Sequence, residues 1–224
     1  MLPITKVVRR LFARRPSVGA VNFGDLRRLT PICDNWGFSR GQVIGRYYVE
    51  KFLRKHVDGV SGVILEFGDP RYRPLLRQDR IERYDVLDIT SRDGVTITGD
   101  IQSIPAIADE TYDAIICTQV LEHVPNPFDA VKELHRITKK DGVLLLTVPH
   151  INKIHRSPGD YWRFTEDSLR LLLKPFSHLE IEMFGNVLTT ALFGYGISSN
   201  ELTQQEMDLA DPEYPVIFGC LARR

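Results

Sequence analysis

The sequence predicts an α/β fold in which a parallel β-sheet is covered by helices. From residue 60 onward, short apolar runs alternate with amphipathic segments, a pattern typical of such sheets. The chain has 224 residues, which is long enough for one well-buried domain and short for two. The predicted strands lie near residues 63–67, 84–88, 95–98, 113–117, 143–148, 178–184 and 215–222.

Two helices are predicted with clear boundaries between these strands. The first covers about residues 127–139, where apolar side chains recur at helical spacing before Asp141-Gly142 turns the chain into the next strand. The second covers about residues 165–174. Thr165 is a suitable N-cap there, and Glu166 and Asp167 place negative charge in the first turn, where it favours the helix dipole.

Two segments do not follow the alternation. We expect residues 1–59 to form an N-terminal helical cap on the substrate side, because they include the helix-like stretch "VIGRYYVEKFLRKH". Within them, residues 1–15 predict an amphipathic helix that packs on the domain or a second subunit, or contacts an anionic membrane surface. We interpret the apolar insert at residues 185–213 as a cover over the substrate or a contact within a homo-oligomer.

The composition argues against several classes of protein. Basic and acidic residues both number 29, so no net field attracts the chain to nucleic acid. The three cysteines have no metal-type spacing and fit a reducing compartment. No apolar run approaches the roughly 20 residues that span a bilayer. We therefore expect a cytoplasmic protein without a transmembrane segment or a nucleic-acid partner.

Polar residues and a glycine follow the first four predicted strands. In a doubly wound sheet, the ligand binds outside the carboxyl ends of the strands, so these positions are the candidate site. Asp88 ends the second strand about 20 residues after Gly68, where an acid can accept hydrogen bonds from ribose hydroxyls. The full set is Glu66, Gly68 and Asp69 after the first strand, Asp88, Asp100 with Ile101 after the third, and Gln119 after the fourth.

Several of these segments together resemble class I S-adenosylmethionine-dependent methyltransferases, in the group that methylates small molecules and sugars. They are "VILEFGD", "YDVLDI", "GDIQSIP", "YDAIICTQVLEHVPNPFDAVKELHRITKKDGVLLLTVP" and "DYWRFT", and the likeness covers about residues 60–184. The resemblance implies a Rossmann-like, doubly wound, seven-stranded sheet with helices on both faces and an antiparallel last strand. It makes residues 60–224 the methyltransferase domain. Upstream, "RGQVIGRYYVEKFL" resembles a bacterial subgroup associated with polysaccharide biosynthesis.

The resemblance also implies roles for the residues at the strand ends. The loop of Glu66, Gly68 and Asp69 would lie beside the methionine part of S-adenosylmethionine, and Asp88 would hold the ribose. Asp100 and Ile101 would contact the adenine, and Gln119 would face the cofactor. Taken alone, Asp100 also fits a turn acid and Gln119 a helix-capping residue.

The glycine loop departs from the usual pattern of two or three glycines, which let the backbone approach the methionine carboxylate closely. Gly68 is followed by Asp69-Pro70-Arg71-Tyr72. Proline suits a first helical position, so we expect the loop to turn into a helix and still bind the cofactor. Arg40, Arg46, Arg71 and Tyr72 could supply the missing carboxylate contacts, or the arginines could be ordinary solvated residues.

The acceptor is expected to bind beside "VPHINKIHRSPGDYWRFT", which follows the fifth strand. A neutral histidine can take a proton from a hydroxyl acceptor, and His150 and His155 are equal candidates for this base. Asp160 could orient the imidazole. Alternatively, the histidines and Asp160 could bind a divalent cation such as Mg²⁺. His123 is expected to pack beneath the cofactor or to cap a helix.

The same segment holds the candidate acceptor-binding residues Tyr161, Trp162 and Arg163. Aromatic rings at positions 161 and 162 could stack on a sugar ring. Arg163 could instead form a structural ion pair with Asp160 that fixes the loop.

The sequence therefore favours an S-adenosylmethionine-dependent O-methyltransferase that acts on a sugar hydroxyl or another small polar metabolite. The second hypothesis is an inactive cofactor-binding or scaffold protein with the same fold, because the glycine loop is reduced. A nicotinamide-dependent dehydrogenase is disfavoured, since a dinucleotide pyrophosphate needs a glycine-rich turn.

Overall fold

The computed structural model describes residues 16–224. Two compact units divide the chain, Met1–Pro31 and Ile32–Arg224. In the first, the described residues form a short 3-10 turn at Gly24–Leu26, and the guanidinium of Arg27 lies 5.6 Å from the centroid of the Phe23 ring. The helix predicted for residues 1–15 lies outside the described residues. The domain boundary predicted near residue 60 stays a prediction, and residues 32–59 fall within the second unit.

Within residues 32–224, one sheet of seven strands forms the centre of the fold. Its spatial order is β3-β2-β1-β4-β5-β7-β6. The first five strands along the chain pair in parallel, and β7 pairs antiparallel with both β5 and β6. The strands are β1 Gly62–Phe67, β2 Ile81–Asp88, β3 Ile97–Thr98, β4 Tyr112–Thr118, β5 Thr138–Pro149, β6 His178–Phe184 and β7 Ile217–Arg223.

The strand order reverses at β1, because β1 pairs with β2 on one edge and with β4 on the other. The apolar runs of β1, β4 and β5 are buried on both faces, as expected of parallel strands with layers on each side. The predicted doubly wound α/β sheet with an antiparallel last strand is confirmed.

Helices cover both faces of the sheet and bury two apolar clusters against it. One face is covered by α2 and α3, which contribute Leu134 and Leu169. The other is covered mainly by α1, which contributes Ile44 and Phe52, with Phe193 of α4 packed beside it. The helices are α1 Ile44–His56, α2 Pro127–Ile137, α3 Glu166–Leu172, α4 Val187–Gly194 and α5 Gln204–Asp208.

Side-chain caps fix where two of these helices begin. Asn126 accepts hydrogen bonds from the backbone N–H groups of Phe128 and Asp129, and Pro127 occupies the first turn of α2. Thr165 forms a capping box with Ser168 at the start of α3, as its N-cap position predicts. These local bonds fix the chain in the segments that follow the carboxyl ends of β4 and β5.

The loop after β1 does not turn into the expected helix. In the stretch between β1 and β2, all of which is described, the structure has 3-10 turns at Arg73–Leu75 and Gln78–Arg80 and no α-helix. Pro70 precedes both turns and starts no helix. Pro74 falls in the second turn of a helix begun at Pro70, where it has no N–H to donate and its ring would clash with the Pro70 carbonyl. The backbone N–H of Tyr72 donates to the buried Glu66 carboxylate.

The insert packs against α1 and the segment before it. The hydroxyl of Tyr48 donates to the backbone carbonyl of Met207 at 3.0 Å, and Val43 bridges Ser198 in an antiparallel pair. Arg40 also pairs with Glu201. Residues 40–48 and the insert therefore pack together in one layer on the α1 face.

Gly219 provides a test of the packing between α1 and β7. A Cβ added at this residue would lie 2.5 Å from Cδ2 of the buried Phe52 ring. Gly219→Ala is expected to destabilise the fold by about 1–3 kcal/mol, because the ring has no room to move. Urea unfolding measures this. Gly194→Ala is the control, since nothing lies within 4 Å of its Cβ position. Equal midpoints for the two variants would contradict this packing.

Candidate active site

A cavity of about 640 Å³ opens at the carboxyl ends of β1, β2 and β4. Its volume falls within the range of roughly 300–1,000 Å³ typical of small-molecule sites. The sequence-predicted residues that line it are Glu66, Gly68, Asp69, Asp88, Asp100, Ile101, Gln119, His155 and Tyr161. Those that do not line it are His150, Asp160, Trp162 and Arg163. The structure thus brings the predicted cofactor residues together and separates the predicted acceptor residues into two groups.

Glu66 forms the floor of the cavity where β1 ends. Its side chain is buried and accepts hydrogen bonds from the Tyr84 hydroxyl and, at 3.1 Å, from the backbone N–H of Tyr72. Burial raises the pKa of Glu66 to about 7, although these hydrogen bonds act in the opposite direction. Glu66 therefore shapes the loop that follows it and stays close to its titration point at neutral pH.

Gly68 begins the loop with a backbone φ of 89°. A residue with a side chain rarely adopts this value, and no atom lies within 4 Å of the position a Cβ would take. Gly68 thus leaves an open space above the end of β1. Next along the loop, the Asp69 carboxylate pairs with Arg92 and, at 3.3 Å, with Arg71.

Asp88 lies at the end of β2, on the opposite side of Gly68 from β4. Its carboxylate accepts hydrogen bonds from the backbone and hydroxyl of Thr90, both at 2.8 Å, and from Arg92 at 2.6 Å. Burial acts to raise its pKa, but the bonds from Arg92 and Thr90 outweigh burial and lower it. Asp88 is therefore an ionised acceptor on the cavity wall, with Arg92 as its present partner.

The third and fourth strands complete this end of the cavity. Asp100 accepts a hydrogen bond from the backbone N–H of Gln102 at 2.9 Å, which forms a tight turn, and Ile101 is buried beneath it. Gln119 has a φ of 54°, a left-handed conformation that is uncommon outside glycine. Its backbone N–H donates to Thr147, so this strained turn holds the end of β4 against β5.

The other end of the cavity carries a cluster of rings. The centroid of the His155 ring lies 4.9 Å from that of His123 and 5.6 Å from that of Trp36. The indole N–H of Trp36 donates to Asn152 at 2.9 Å, which fixes the ring. Burial lowers the pKa of His123, which favours a neutral imidazole. The side chain of Tyr161 stands at the mouth of the cavity, with 56% of the residue exposed.

Glu122 is an acid that the sequence analysis did not single out. It follows β4 in a 3-10 turn, is 2% exposed, and contributes to the cavity wall. Burial raises its pKa to about 8, so its carboxyl group keeps its proton at neutral pH. Its Oε1 lies 4.0 Å from Nε2 of His123, and since both pKa values move toward the neutral forms, this contact is not an ion pair.

Two polar atoms in this cluster have no partner. Among residues 16–224, the buried side-chain atoms without a hydrogen bond are Glu122 Oε2 and His155 Nδ1. An unpaired buried polar atom costs free energy, and such atoms are rare in folded proteins. Both residues line the same cavity.

Asp160 and Arg163 form an ion pair beside the cavity. Nη1 and Nη2 of Arg163 each donate to one carboxylate oxygen of Asp160. These bonds lower the pKa of Asp160 to about 2. Asp160 also accepts from the backbone N–H of His155 at 2.7 Å. The carboxylate thus fixes the main chain at His155. It does not bond to the imidazole, which differs from the orienting role expected from the sequence.

His150 and Trp162 are both held by structural bonds outside the cavity. Nδ1 of His150 contacts the carbonyl of Phe164 at 2.8 Å, and its ring packs edge-on against Phe218. The indole N–H of Trp162 donates to the carbonyl of Val124 at 2.9 Å. Of the two candidate bases, the structure therefore places His155, and not His150, where an acceptor could reach it.

Sequence reasoning missed Trp36 and Glu122 and gave His123 only a packing role. The signal for Glu122 was available, because "LEHV" follows β4 at the carboxyl edge of the sheet. Trp36 offered no such signal. It lies 119 positions before His155 and reaches the cavity through the layer formed by the insert and α1.

No donor set for a metal exists within the described part of the chain. Residues 16–224 contain no group of three or more His, Cys, Asp or Glu side chains arranged to hold a metal ion. The expectation of Mg²⁺ therefore has no support from the arrangement of these side chains.

No helix in the described part of the chain is both long and apolar enough to cross a bilayer.

Residues 80–146, from just before β2 to within β5, match a family described as a methyltransferase domain. No curated protein matches the chain. The matched stretch includes Asp88, Asp100 and Glu122, which line the cavity.

Solved structures share the fold over most of the chain. An S-adenosylmethionine-dependent methyltransferase from Archaeoglobus fulgidus has a TM-score of 0.56 and 15% identity, covering 80% of this chain and 94% of the other. A second from Mesorhizobium loti has a TM-score of 0.53 and 12% identity, covering 81% and 98%. The [4+2]-cyclase SpnF has a TM-score of 0.54 and 16% identity, covering 83% and 84%.

The family match over residues 80–146 supports the predicted class of enzyme, an S-adenosylmethionine-dependent methyltransferase, and the predicted fold is confirmed. At these identities the structural likeness shows the fold alone. SpnF, described as a cyclase, shows that the fold does not by itself fix the reaction. The predicted sugar and polysaccharide subgroup finds no support in these comparisons.

The cavity fits the cofactor that the fold implies. Gly68 leaves an open space where a Cβ would intrude, and the carboxylate of Asp88 can accept ribose hydrogen bonds at the end of the adjacent strand. Buried Ile101 offers an apolar surface near the third strand. These residues would hold S-adenosylmethionine, which supplies an electrophilic methyl group when bound.

Asp88→Ala tests the cofactor end of the cavity. The variant loses hydrogen bonds to a charged acceptor, each contributing about 1.5–3 kcal/mol, so S-adenosylhomocysteine should bind at least about tenfold more weakly. Isothermal titration calorimetry measures this. Asp79→Ala is the matched control, since Asp79 is an exposed acid paired with Arg77 outside the cavity. Unchanged affinity in a folded Asp88→Ala variant would contradict the ribose role.

Glu122→Gln tests the burial of a protonated carboxyl group. The folded-state pKa of Glu122, about 8, lies above its ordinary value of 4.5. Between these pH values the unfolded chain releases a proton that the folded chain retains, so the free energy of unfolding of the parent falls as pH rises. Glutamine has no such proton. The variant should therefore gain stability relative to the parent by on the order of 3 kcal/mol between pH 5 and pH 8. Urea unfolding at both pH values measures the difference in the free energy of unfolding between the variant and the parent. The same difference at pH 5 and pH 8 would contradict the prediction.

Proposed function

We propose that the protein transfers a methyl group from S-adenosylmethionine to an oxygen of a small polar acceptor, with a sugar hydroxyl as the preferred candidate. The observation that carries this proposal is that Glu122 and His155, each with one buried polar atom that has no hydrogen-bond partner, line the cavity that Gly68 and Asp88 also line. A hydroxyl can both donate and accept a hydrogen bond, so it suits a protonated carboxyl group and an imidazole together.

The chemistry of the transfer assigns a role to His155. Methyl transfer from a sulfonium is an in-line displacement, in which an acceptor oxygen forms a bond to carbon while the carbon–sulfur bond breaks. The hydroxyl proton must leave, and the imidazole of His155 takes it. The products are a methyl ether, S-adenosylhomocysteine and a protonated His155, which returns its proton to solvent.

Neighbouring residues position this base and the acceptor. The bond from the His155 backbone to Asp160 and the ring contacts with Trp36 and His123 hold the imidazole in place. Glu122 would donate a hydrogen bond to the acceptor through its retained proton. Tyr161, half exposed at the mouth, offers an aromatic face on which a sugar ring can stack.

An inactive scaffold with the same fold is the less favoured hypothesis. A protein that had lost catalysis would have no reason to keep two uncompensated polar groups in a closed part of the cavity, since each lowers stability. The reduced glycine loop, which motivated that hypothesis, leaves the space above Gly68 open.

His155→Ala tests the catalytic proposal. Purified protein is incubated with S-[methyl-³H]adenosylmethionine and a panel of free hexoses, deoxyhexoses and nucleotide-linked sugars. The parent should label at least one saccharide at a hydroxyl, and His155→Ala should lower the single-turnover rate by roughly 10²–10⁴.

His150→Gln is the control for this experiment. Glutamine can keep the hydrogen bond to the Phe164 carbonyl, and residue 150 lies outside the cavity, so the parental rate is expected. Label found only on amines would overturn oxygen methylation, and no labelled saccharide would overturn the proposed acceptor class. A parental rate in His155→Ala would overturn its role as the base.

A further inference from the structure

Arg46 is a half-buried arginine on the cavity wall that forms no salt bridge with any acid among residues 16–224. It occupies the third position of α1 and lines the cavity with Val49 of the same helix. Its guanidinium carbon lies 5.2 Å from the centroid of the Phe38 ring. No hydrogen bond or salt bridge to its side chain is formed by any of residues 16–224. Glu50 and Asp69 attract this half-buried cation only without direct contact, so the position favours an anion from outside the chain that bonds to it.

A second arginine lies close to Arg46. Arg71 belongs to the loop after β1 and also lines the cavity. Burial lowers the pKa of Arg46, and the positive charge of Arg71 lowers it further. Arg71 has a weak partner of its own, Asp69, at 3.3 Å. Two cations that repel one another across a cavity are stabilised when an anion binds between them.

The backbone of the β1 loop has little capacity to bind this anion itself. The N–H of Gly68 donates to Leu87, that of Arg71 to Asp69, and that of Tyr72 to Glu66. Pro70 has no N–H. A helix N-terminus would be the usual anion site after such a loop, but residues 68–80 contain no α-helix.

We propose that Arg46, assisted by Arg71, binds the carboxylate of the methionine part of S-adenosylmethionine in place of the missing glycine-rich backbone. The inference rests on the proposed function, because it assumes that this cofactor occupies the cavity. A guanidinium can bind a carboxylate through two parallel hydrogen bonds, which gives both affinity and orientation. The α1 helix thereby binds the carboxylate that the loop after β1 would otherwise bind.

The test compares two ligands that differ in this carboxylate. S-adenosylhomocysteine carries the amino-acid group, and 5′-methylthioadenosine lacks it. Calorimetric titration of Arg46→Gln should show a loss of about 10- to 100-fold in affinity for the first ligand. The affinity for the second should change by less than about twofold, because the nucleoside contacts are intact. Arg46→Lys should fall between the parent and Arg46→Gln, since it keeps the charge and loses the planar fork.

Arg54→Gln is the matched control on the same helix. Its side chain is 64% exposed and lies 3.9 Å from Glu50, outside the cavity. It should leave both affinities unchanged. Thermal unfolding of the ligand-free proteins separates binding from folding. Within residues 16–224, Arg46 has no hydrogen bond or salt bridge to lose, and only its contact with the Phe38 ring is removed. Arg46→Gln should therefore unfold close to the parental temperature, whereas a structural role would lower it.

Each contrary outcome identifies a different error. An equal loss of affinity for both ligands would overturn the carboxylate assignment, because Arg46 would then act on the nucleoside or the fold. Parental affinity for S-adenosylhomocysteine in Arg46→Gln would also overturn it. In that case, if Arg46→Gln had a higher KM than the parent for an acidic saccharide, Arg46 would be assigned to binding an anionic acceptor. If S-adenosylhomocysteine did not bind the parent protein, the proposed function would fail together with this inference.

Discussion

The pairing of β1 with both β2 and β4 is the constraint on which the rest of the structure depends. The chain leaves β1 toward one edge and returns on the other for β4, so the loops after these strands diverge. A crevice remains at their carboxyl ends because no connection crosses it. Gly68, Asp88 and Gln119 reach this crevice from three different strands. Their proximity follows from the parallel register of the sheet, and it would survive most changes in the outer helices.

The second constraint is the layer that closes the crevice. α1 packs on the sheet through Phe52 and Gly219, and the insert packs on α1 through the Tyr48 hydroxyl and the carbonyl of Met207. This layer carries Trp36, Arg46 and Phe193 to the cavity wall. Residues distant from the methyltransferase-like core in sequence therefore determine the shape and charge of the site. The end of the cavity that holds Trp36 and His155 is built by this layer and the loop after β5 together, whereas Gly68 and Asp88 lie directly at strand ends.

The site also shows where the fold gives up stability. Glu66 and Glu122 are buried acids whose pKa values are raised by burial to about 7 and about 8, and Glu122 and His155 each leave a polar atom unpaired. Gln119 adds a left-handed backbone conformation at the end of β4. Elsewhere in residues 16–224, buried side-chain polar atoms are paired. Such a concentration of unfavourable features in one cavity is typical of a functional site, where a ligand or a transition state compensates for them.

The sequence by itself determined the strands and the Thr165 cap, because these follow from local periodicity and from position along the chain. The antiparallel β7 was implied by the resemblance, and the residues at the strand ends line one cavity while their roles toward a cofactor stay predictions. The sequence was misread at the loop after β1, where Pro74 falls inside the helix expected to begin at Pro70. It could not choose between His150 and His155, which are five residues apart in one segment. Only the tertiary structure shows that their surroundings differ, since Phe164 and Phe218 hold His150 outside the cavity while Trp36 and His123 lie beside His155 on its wall. The same holds for Arg46, whose lack of a partner is a property of the packed layer around it. Spacing in a sequence specifies which residues share an element, but the neighbours of a side chain across elements exist only once the chain has folded.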